Sequence, residues 1–209
     1  VSLVGCGSPA LDPDVAPVTA GDWWRPAVED RWQWQLTGDV DRSFDVEVYD
    51  IDLFDAGEAI PLLQAEGRRV LCYFSAGSVE DWREDAGDFP SDAVGEPLDG
   101  WAGERWLDVR SLDVVDLMDA RLDLAKELGC DGVEPDNVDG YQNESGFELH
   151  ARHQLAFDRR LANDAHERGL AVFLKNAPGL ASQLGPYVDG ALSEECHATD
   201  ECGAFAAYI

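Results

Sequence analysis

Lysine is almost missing from this sequence: Lys126 and Lys175 are the only two in 209 residues, and Lys and Arg together number 15 against 43 Asp and Glu. The resulting formal charge of −28 excludes nucleic acid as a partner, because phosphate binding needs a basic face that the chain cannot assemble. No apolar run is long enough to span a bilayer. The Gly-x-Gly-x-x-Gly phosphate loop of a dinucleotide fold is also lacking, since Gln35-Leu36-Thr37-Gly38-Asp39 stands where it would follow the first strand. There is no Cys-x-x-Cys pair, and His150, His153, His166 and His197 show no ligand spacing, so neither a metal nor another cofactor is expected. Disorder is excluded by what is plentiful: a 45% hydrophobic share with seven Trp, eight Phe and five Tyr. The acid excess itself has two readings, a surface suited to high salt and a field that gathers a cationic ligand.

The amino-terminal run Leu3-Val4-Gly5-Cys6 resembles a lipobox, with Cys6 as the lipidation site and Gly7 to Pro17 as a polar tether. Residues 1–20 are therefore set apart from a single domain over residues 21–209, and export to the cell surface or beyond is expected, with membrane contact only through Cys6. Four cysteines remain for an oxidising compartment: Cys196 and Cys202 could close a short loop, leaving Cys72 and Cys130. Nothing in the sequence calls for an oligomer, and a monomer is expected.

Beyond the tether, strands and helices alternate. Trp32 to Leu36, Val46 to Leu53 and Val70 to Phe74 read as three strands, and Arg105 to Val109 as a short fourth. A helix follows with Val115, Met118, Leu122 and Ala125 on one face and Gly129 as its stop. Gly132 to Tyr141 supplies a fifth strand that runs into a polar cluster, with Glu134 and Asp136 on one face. A helix with Phe157, Leu161 and Ala165 spaced by four precedes a sixth strand, Leu170 to Leu174, and Gly190 to Ser193 makes a seventh. The recurring joint, Glu66-Gly67, Leu128-Gly129 and Arg168-Gly169, closes a helix before each of three strands. Such alternation predicts α/β architecture with a parallel sheet, and seven strands suggest a (β/α)8 TIM barrel short of its last unit.

In a barrel, chemistry collects at the carboxyl ends of the strands. The polar residues there are Trp34 and Gln35, Asp50 and Asp52, Tyr73 and Ser75, Asp108, Glu134 with Asp136 and Asn137, Lys175 with Asn176, and Glu194. Asp136 and Glu194, on different strands, are the candidate pair to flank a glycosidic bond, one protonated and one ionised. Trp34, Tyr73 and Tyr141 are candidate sugar platforms. Lys175 is read either as the partner that keeps a site carboxylate ionised or as a structural ion pair at the barrel rim.

The runs Trp32 to Leu36, Tyr49-Asp50-Ile51-Asp52, Cys72 to Arg83, Gly132 to Asn143, Lys175-Asn176 and Glu194-Glu195-Cys196 resemble glycoside hydrolase family 114, which contains endo-α-1,4-polygalactosaminidases. The similarity extends from about Trp23 to Cys202. It implies a (β/α)8 barrel cleaving a galactosamine-containing polysaccharide, with an acid pair that falls on Asp136 and Glu194, Glu195 being the neighbouring alternative. Asp50, Tyr73, Asn137, Tyr141, Lys175 and Asn176 lie in matching motifs and are implied as subsite residues, Glu134 supporting Asp136 from deeper in the strand. A non-catalytic polysaccharide-binding lipoprotein is the alternative function. The family pattern also implies an eighth strand after Glu201, so truncation before that strand and a barrel left open are expected.

Overall fold

The computed structural model describes residues 10–55 and 57–208. Cys6 and the rest of the lipobox-like motif lie outside the described residues.

The chain opens with β1 (Trp32–Gln35) and β2 (Val48–Asp52), then α1 (Ala59–Ala65) and β3 (Arg69–Ser75). Three short strands follow, β4 (Ser78–Glu80), β5 (Val94–Pro97) and β6 (Glu104–Leu107), before the long helix α2 (Leu112–Leu128). The remainder is β7 (Gly132–Asp136), α3 (Ala151–Glu167), β8 (Ala171–Lys175), α4 (Ala181–Leu184), β9 (Gly190–Leu192) and α5 (Cys196–Thr199). Six strands form one curled parallel sheet in the order β1-β2-β3-β7-β8-β9, and β4-β6-β5 form a separate antiparallel sheet.

The strand expected at Arg105 to Val109 is thereby corrected. Its residues pair in antiparallel fashion with β4 and β5, and β3 pairs directly with β7. The parallel sheet thus holds six strands rather than seven, because a short strand pattern does not itself reveal which sheet it joins. The small sheet is an excursion in the connection from β3 to α2. It is held by Arg121 of α2, 2% exposed, which donates to both carboxylate oxygens of Asp85 at 2.8 and 2.9 Å and to the carbonyl of Ser75 at 2.6 Å.

Buried strands explain the near-continuous apolar runs: all five residues of β2 are buried, as are Val70 to Cys72 of β3 and Gly132 to Pro135 of β7. Helix α2 turns Val115, Met118, Leu122 and Ala125 inward and ends at Gly129 with φ +87°, a left-handed stop open to glycine. Helix α3 buries Phe157, Leu161 and Ala165 in the same way. Two disulfides close the chain on itself, Cys72–Cys130 between β3 and the end of α2, and Cys196–Cys202 beyond β9. At the amino ends of β8 and β9, Asp189 accepts from Trp23 Nε1 at 3.0 Å and from the Val172 amide at 3.0 Å and meets His166 Nε2 at 2.8 Å, while Trp23 stacks on the His166 ring. This fastens the segment before β1 beneath the sheet.

Candidate active site

Lys175 ends β8 with its ammonium buried among acids. Its Nζ lies 3.1 Å from Glu134 Oε1, 3.3 Å from Asp136 Oδ2 and 3.7 Å from Glu194 Oε2. The Trp34 and Tyr73 rings face the same nitrogen at 5.0 and 5.4 Å. Burial pulls the Lys175 pKa down, but Asp136, Glu134 and Glu194 outweigh it and hold it above the usual lysine value, so the amine stays charged. The same burial raises the Tyr73 phenol, with Asp136 adding to the effect, so it remains a proton donor.

Asp136 closes β7. Its Oδ1 accepts the Asn137 amide at 2.7 Å and its Oδ2 accepts Lys175 Nζ at 3.3 Å. Asn137 adopts φ +61°, and the turn is clamped from β3: Ala76 and Gly77 both donate to the Asp136 carbonyl, at 2.9 and 3.2 Å. A Cβ at Gly77 would come within 1.8 Å of the Asn137 carbonyl oxygen, so only glycine permits this approach. A hydrogen-bond chain reaches the turn from the excursion. Ser78 Oγ donates to Glu104 at 2.8 Å, Ser75 and Ser78 hydroxyls are 2.6 Å apart, and Ser75 Oγ lies 3.2 Å from Asn137 Oδ1.

Glu194 follows β9, and Asn176 places it from both ends: Asn176 Nδ2 donates to Glu194 Oε2 at 3.0 Å, and the Glu194 amide donates to Asn176 Oδ1 at 2.9 Å. Asn176, Ala177 and Glu195 all have positive φ, as does Asn137. Four of the five such non-glycine residues thus cluster at the exits of β7, β8 and β9, where backbone strain accompanies function.

The cavity above these groups encloses about 700 Å³, in the upper part of the roughly 300–1,000 Å³ span of ligand sites. Trp34, Tyr73, Asp136, Asn137, Lys175, Asn176 and Glu194 all line it. Asp50 and Glu134, expected as substrate contacts, do not: each is 0% exposed, beneath the floor. Neither oxygen of Asp50 meets an N–H or O–H donor. Burial and the neighbouring Glu134 charge push the Asp50 carboxyl well above the ordinary carboxyl range. Glu134 is itself raised by burial, against the pull of Lys175. Tyr141 and Asp108 also lie outside the lining, and Asp108 instead pairs with Arg110 at 2.8 Å within the excursion. The sequence reading assigned no site role to Asp55, Glu80, Trp82, Arg83, Trp101 and Glu104, although Glu80, Trp82 and Arg83 lie in the run Cys72 to Arg83; the excursion and the exit of β2 bring all six to the cavity. Their signal was weak, because a small antiparallel sheet reaching over the barrel-like face leaves no periodicity of its own.

Residues 14–209 match the family model described as glycoside-hydrolase family GH114. Among solved structures, the chain is similar to Ega3 of Aspergillus fumigatus in complex with galactosamine, with 43% identity and a TM-score of 0.87 over 90% of this chain and 75% of that one. The glycoside hydrolase domain of PelA from Pseudomonas aeruginosa, 13% identical, shares the fold with a TM-score of 0.58 over 78% of this chain and 65% of that one. No curated protein matches the chain. With nearly its whole described length inside the family model, the chain belongs to glycoside-hydrolase family GH114.

Proposed function

We propose that the protein cleaves α-1,4-linked galactosamine-containing polysaccharide, with Asp136 and Glu194 as its two working carboxyls. The observation that carries the reading is Lys175, whose Nζ lies 3.3 Å from Asp136 Oδ2 and 3.7 Å from Glu194 Oε2 at the floor of the cavity. The two oxygens are therefore no more than about 7 Å apart, close enough for both carboxyls to reach one glycosidic bond. Asp136 accepts the Asn137 amide at 2.7 Å and the Lys175 ammonium at 3.3 Å, which fix its carboxyl group at the cavity floor. Glu194, its side chain 41% exposed, is oriented by Asn176 and faces the cavity opposite Asp136, so the pair supplies the acid and its partner between them. Tyr73 and Trp34 contribute ring faces to the sugar at the cleavage point. The galactosamine bound in the Ega3 structure supports an amino sugar as ligand, and a polymer bearing free amines suits a chain with a formal charge of −28.

The curled six-strand sheet supports the (β/α)8 barrel reading. The Leu3-Val4-Gly5-Cys6 motif and the two disulfides support an exported protein anchored by lipid at Cys6, which the intact mass of the natively processed protein tests directly. For the chemistry, the test is release of oligosaccharides from partially deacetylated poly-α-1,4-galactosamine. Asp136→Asn and Glu194→Gln should each lower turnover by about 10²–10⁴-fold. Binding of the polymer without release by the native chain would assign the non-catalytic alternative, and full turnover by both variants would remove the assigned roles.

A further inference from the structure

We infer that Trp82 and Trp101 form a distal sugar-binding subsite that holds the polymer chain away from the cleavage point and gives the enzyme its preference for long substrates. This rests on the function proposed above.

Both indoles line the same cavity as Asp136 and Glu194, yet neither belongs to the parallel sheet. Trp82 follows β4 and Trp101 sits in the turn between β5 and β6, so both are carried by the antiparallel excursion. They are 52% and 64% exposed, among the most exposed large apolar side chains described, whereas Trp34 beside Lys175 is 39% exposed. Leaving two indoles in water forfeits the gain from burying them, and a fold able to bury Tyr49 and Phe74 completely has no packing need for that arrangement.

Trp82 is also seated. Gly103 has φ +94°, and a Cβ built there would stand 2.9 Å from Trp82 Cζ3 and 2.7 Å from Asp81 Oδ1. The bare glycine backbone makes room for the indole, and the Asp81 amide donates to the Gly103 carbonyl at 3.0 Å to keep the two turns together. The ring is thus presented as a fixed face. Arg83, next in sequence, is locked by Asp52 at 2.6 Å and Glu80 at 2.8 Å, which anchors the same turn to the exit of β2.

The chemistry of the face fits a galacto-configured amino sugar. With O4 axial, one side of such a pyranose presents C–H groups that stack on an indole, and the ammonium at C2 is attracted to the ring's electron-rich face. Asp55, with its side chain 81% exposed at the cavity edge, supplies a carboxylate for a neighbouring amine. The indoles are carried by the antiparallel excursion and the acid pair by the exits of the parallel sheet, so on this proposal a short oligosaccharide held at the floor leaves the indoles empty and a longer chain covers them.

The test compares kcat/KM on the shortest galactosamine oligosaccharide that is cleaved with kcat/KM on the polymer. Trp82→Ala and Trp101→Ala should each reduce the polymer-to-short ratio by about three- to tenfold, through KM rather than kcat. Trp82→Phe, which keeps a ring on Gly103, should restore most of it. Trp32→Ala is the control, an exposed indole outside the cavity, and should leave the ratio unchanged. Equal losses on short and long substrates, or no loss, would overturn the subsite. If the native chain releases no oligosaccharide, the proposed activity fails by itself. The subsite is then read by quenching of tryptophan fluorescence with the polymer, Trp34 supplying a residual signal: quenching undiminished in the Trp82→Ala/Trp101→Ala double variant, or missing in the native chain, overturns it.

Discussion

At the residue scale, the most informative group is Asp50, an acid with 0% exposure whose oxygens meet no N–H or O–H donor. Burial and the Glu134 charge raise its pKa, so the native state keeps a proton that the unfolded chain releases near pH 3.9. Native protein then binds more protons than unfolded protein above that pH, and the sign follows: this contribution is complete below about pH 4 and is lost as pH rises. Asp50→Asn retains an N–H donor toward Glu134 and does not titrate. Between pH 4 and pH 8 the melting temperature of Asp50→Asn should therefore gain on that of the native sequence, measured by calorimetry in matched buffers; a constant gap would show that Asp50 is ionised. The sequence placed Asp50 at a strand exit but could not show its depth. Alternation along a strand gives direction, whereas depth depends on what the neighbouring strands and Lys175 put above the carboxyl.

At the element scale, the strand-to-strand clamp at Gly77 decides whether Asp136 and Asn137 are in place. A methyl group there would meet backbone, at 1.8 Å from the Asn137 carbonyl, and backbone cannot rotate aside. Gly77→Ala should cost about 3 kcal/mol of stability, seen in denaturant unfolding, and should lower activity in the surviving folded fraction. Gly87→Ala, where a Cβ meets nothing within 4 Å, should change neither. The helices were the most legible elements: the four-residue spacing of Phe157, Leu161 and Ala165 and the stops at Gly129 and Gly169 recur in the structure, with φ of +87° and +77° at the two glycines. Strand β6 was legible as a strand but not as a member of the antiparallel sheet, because pairing partners are chosen by contacts distant in sequence. Trp82 and Trp101 were hidden for the same reason.

At the scale of the whole molecule, the formal charge of −28 separates two effects that salt pulls in opposite directions. Screening relieves self-repulsion and should raise the melting temperature, while it weakens the attraction of a cationic polymer and should raise KM severalfold as the Debye length shrinks from about 10 Å at 0.1 M to about 3 Å at 1 M. Steady-state kinetics and melts over that salt range check both, and a KM indifferent to salt would leave the acidity to solvation alone.

Composition by itself determined the charge and the pool of cysteines, since these need only counting. Ordered motifs determined the alternation of helix and strand and located Asp136, Lys175, Asn176 and Glu194, because each stands at the edge of an apolar run. Only the tertiary structure decided that three carboxyls share a single buried lysine, that Glu134 and Asp50 lie beneath the floor, and that an antiparallel excursion carries two indoles to the cavity. Asp136 and Glu194 are fifty-eight positions apart, and they meet at Lys175 because parallel pairing brings the ends of β7, β8 and β9 side by side.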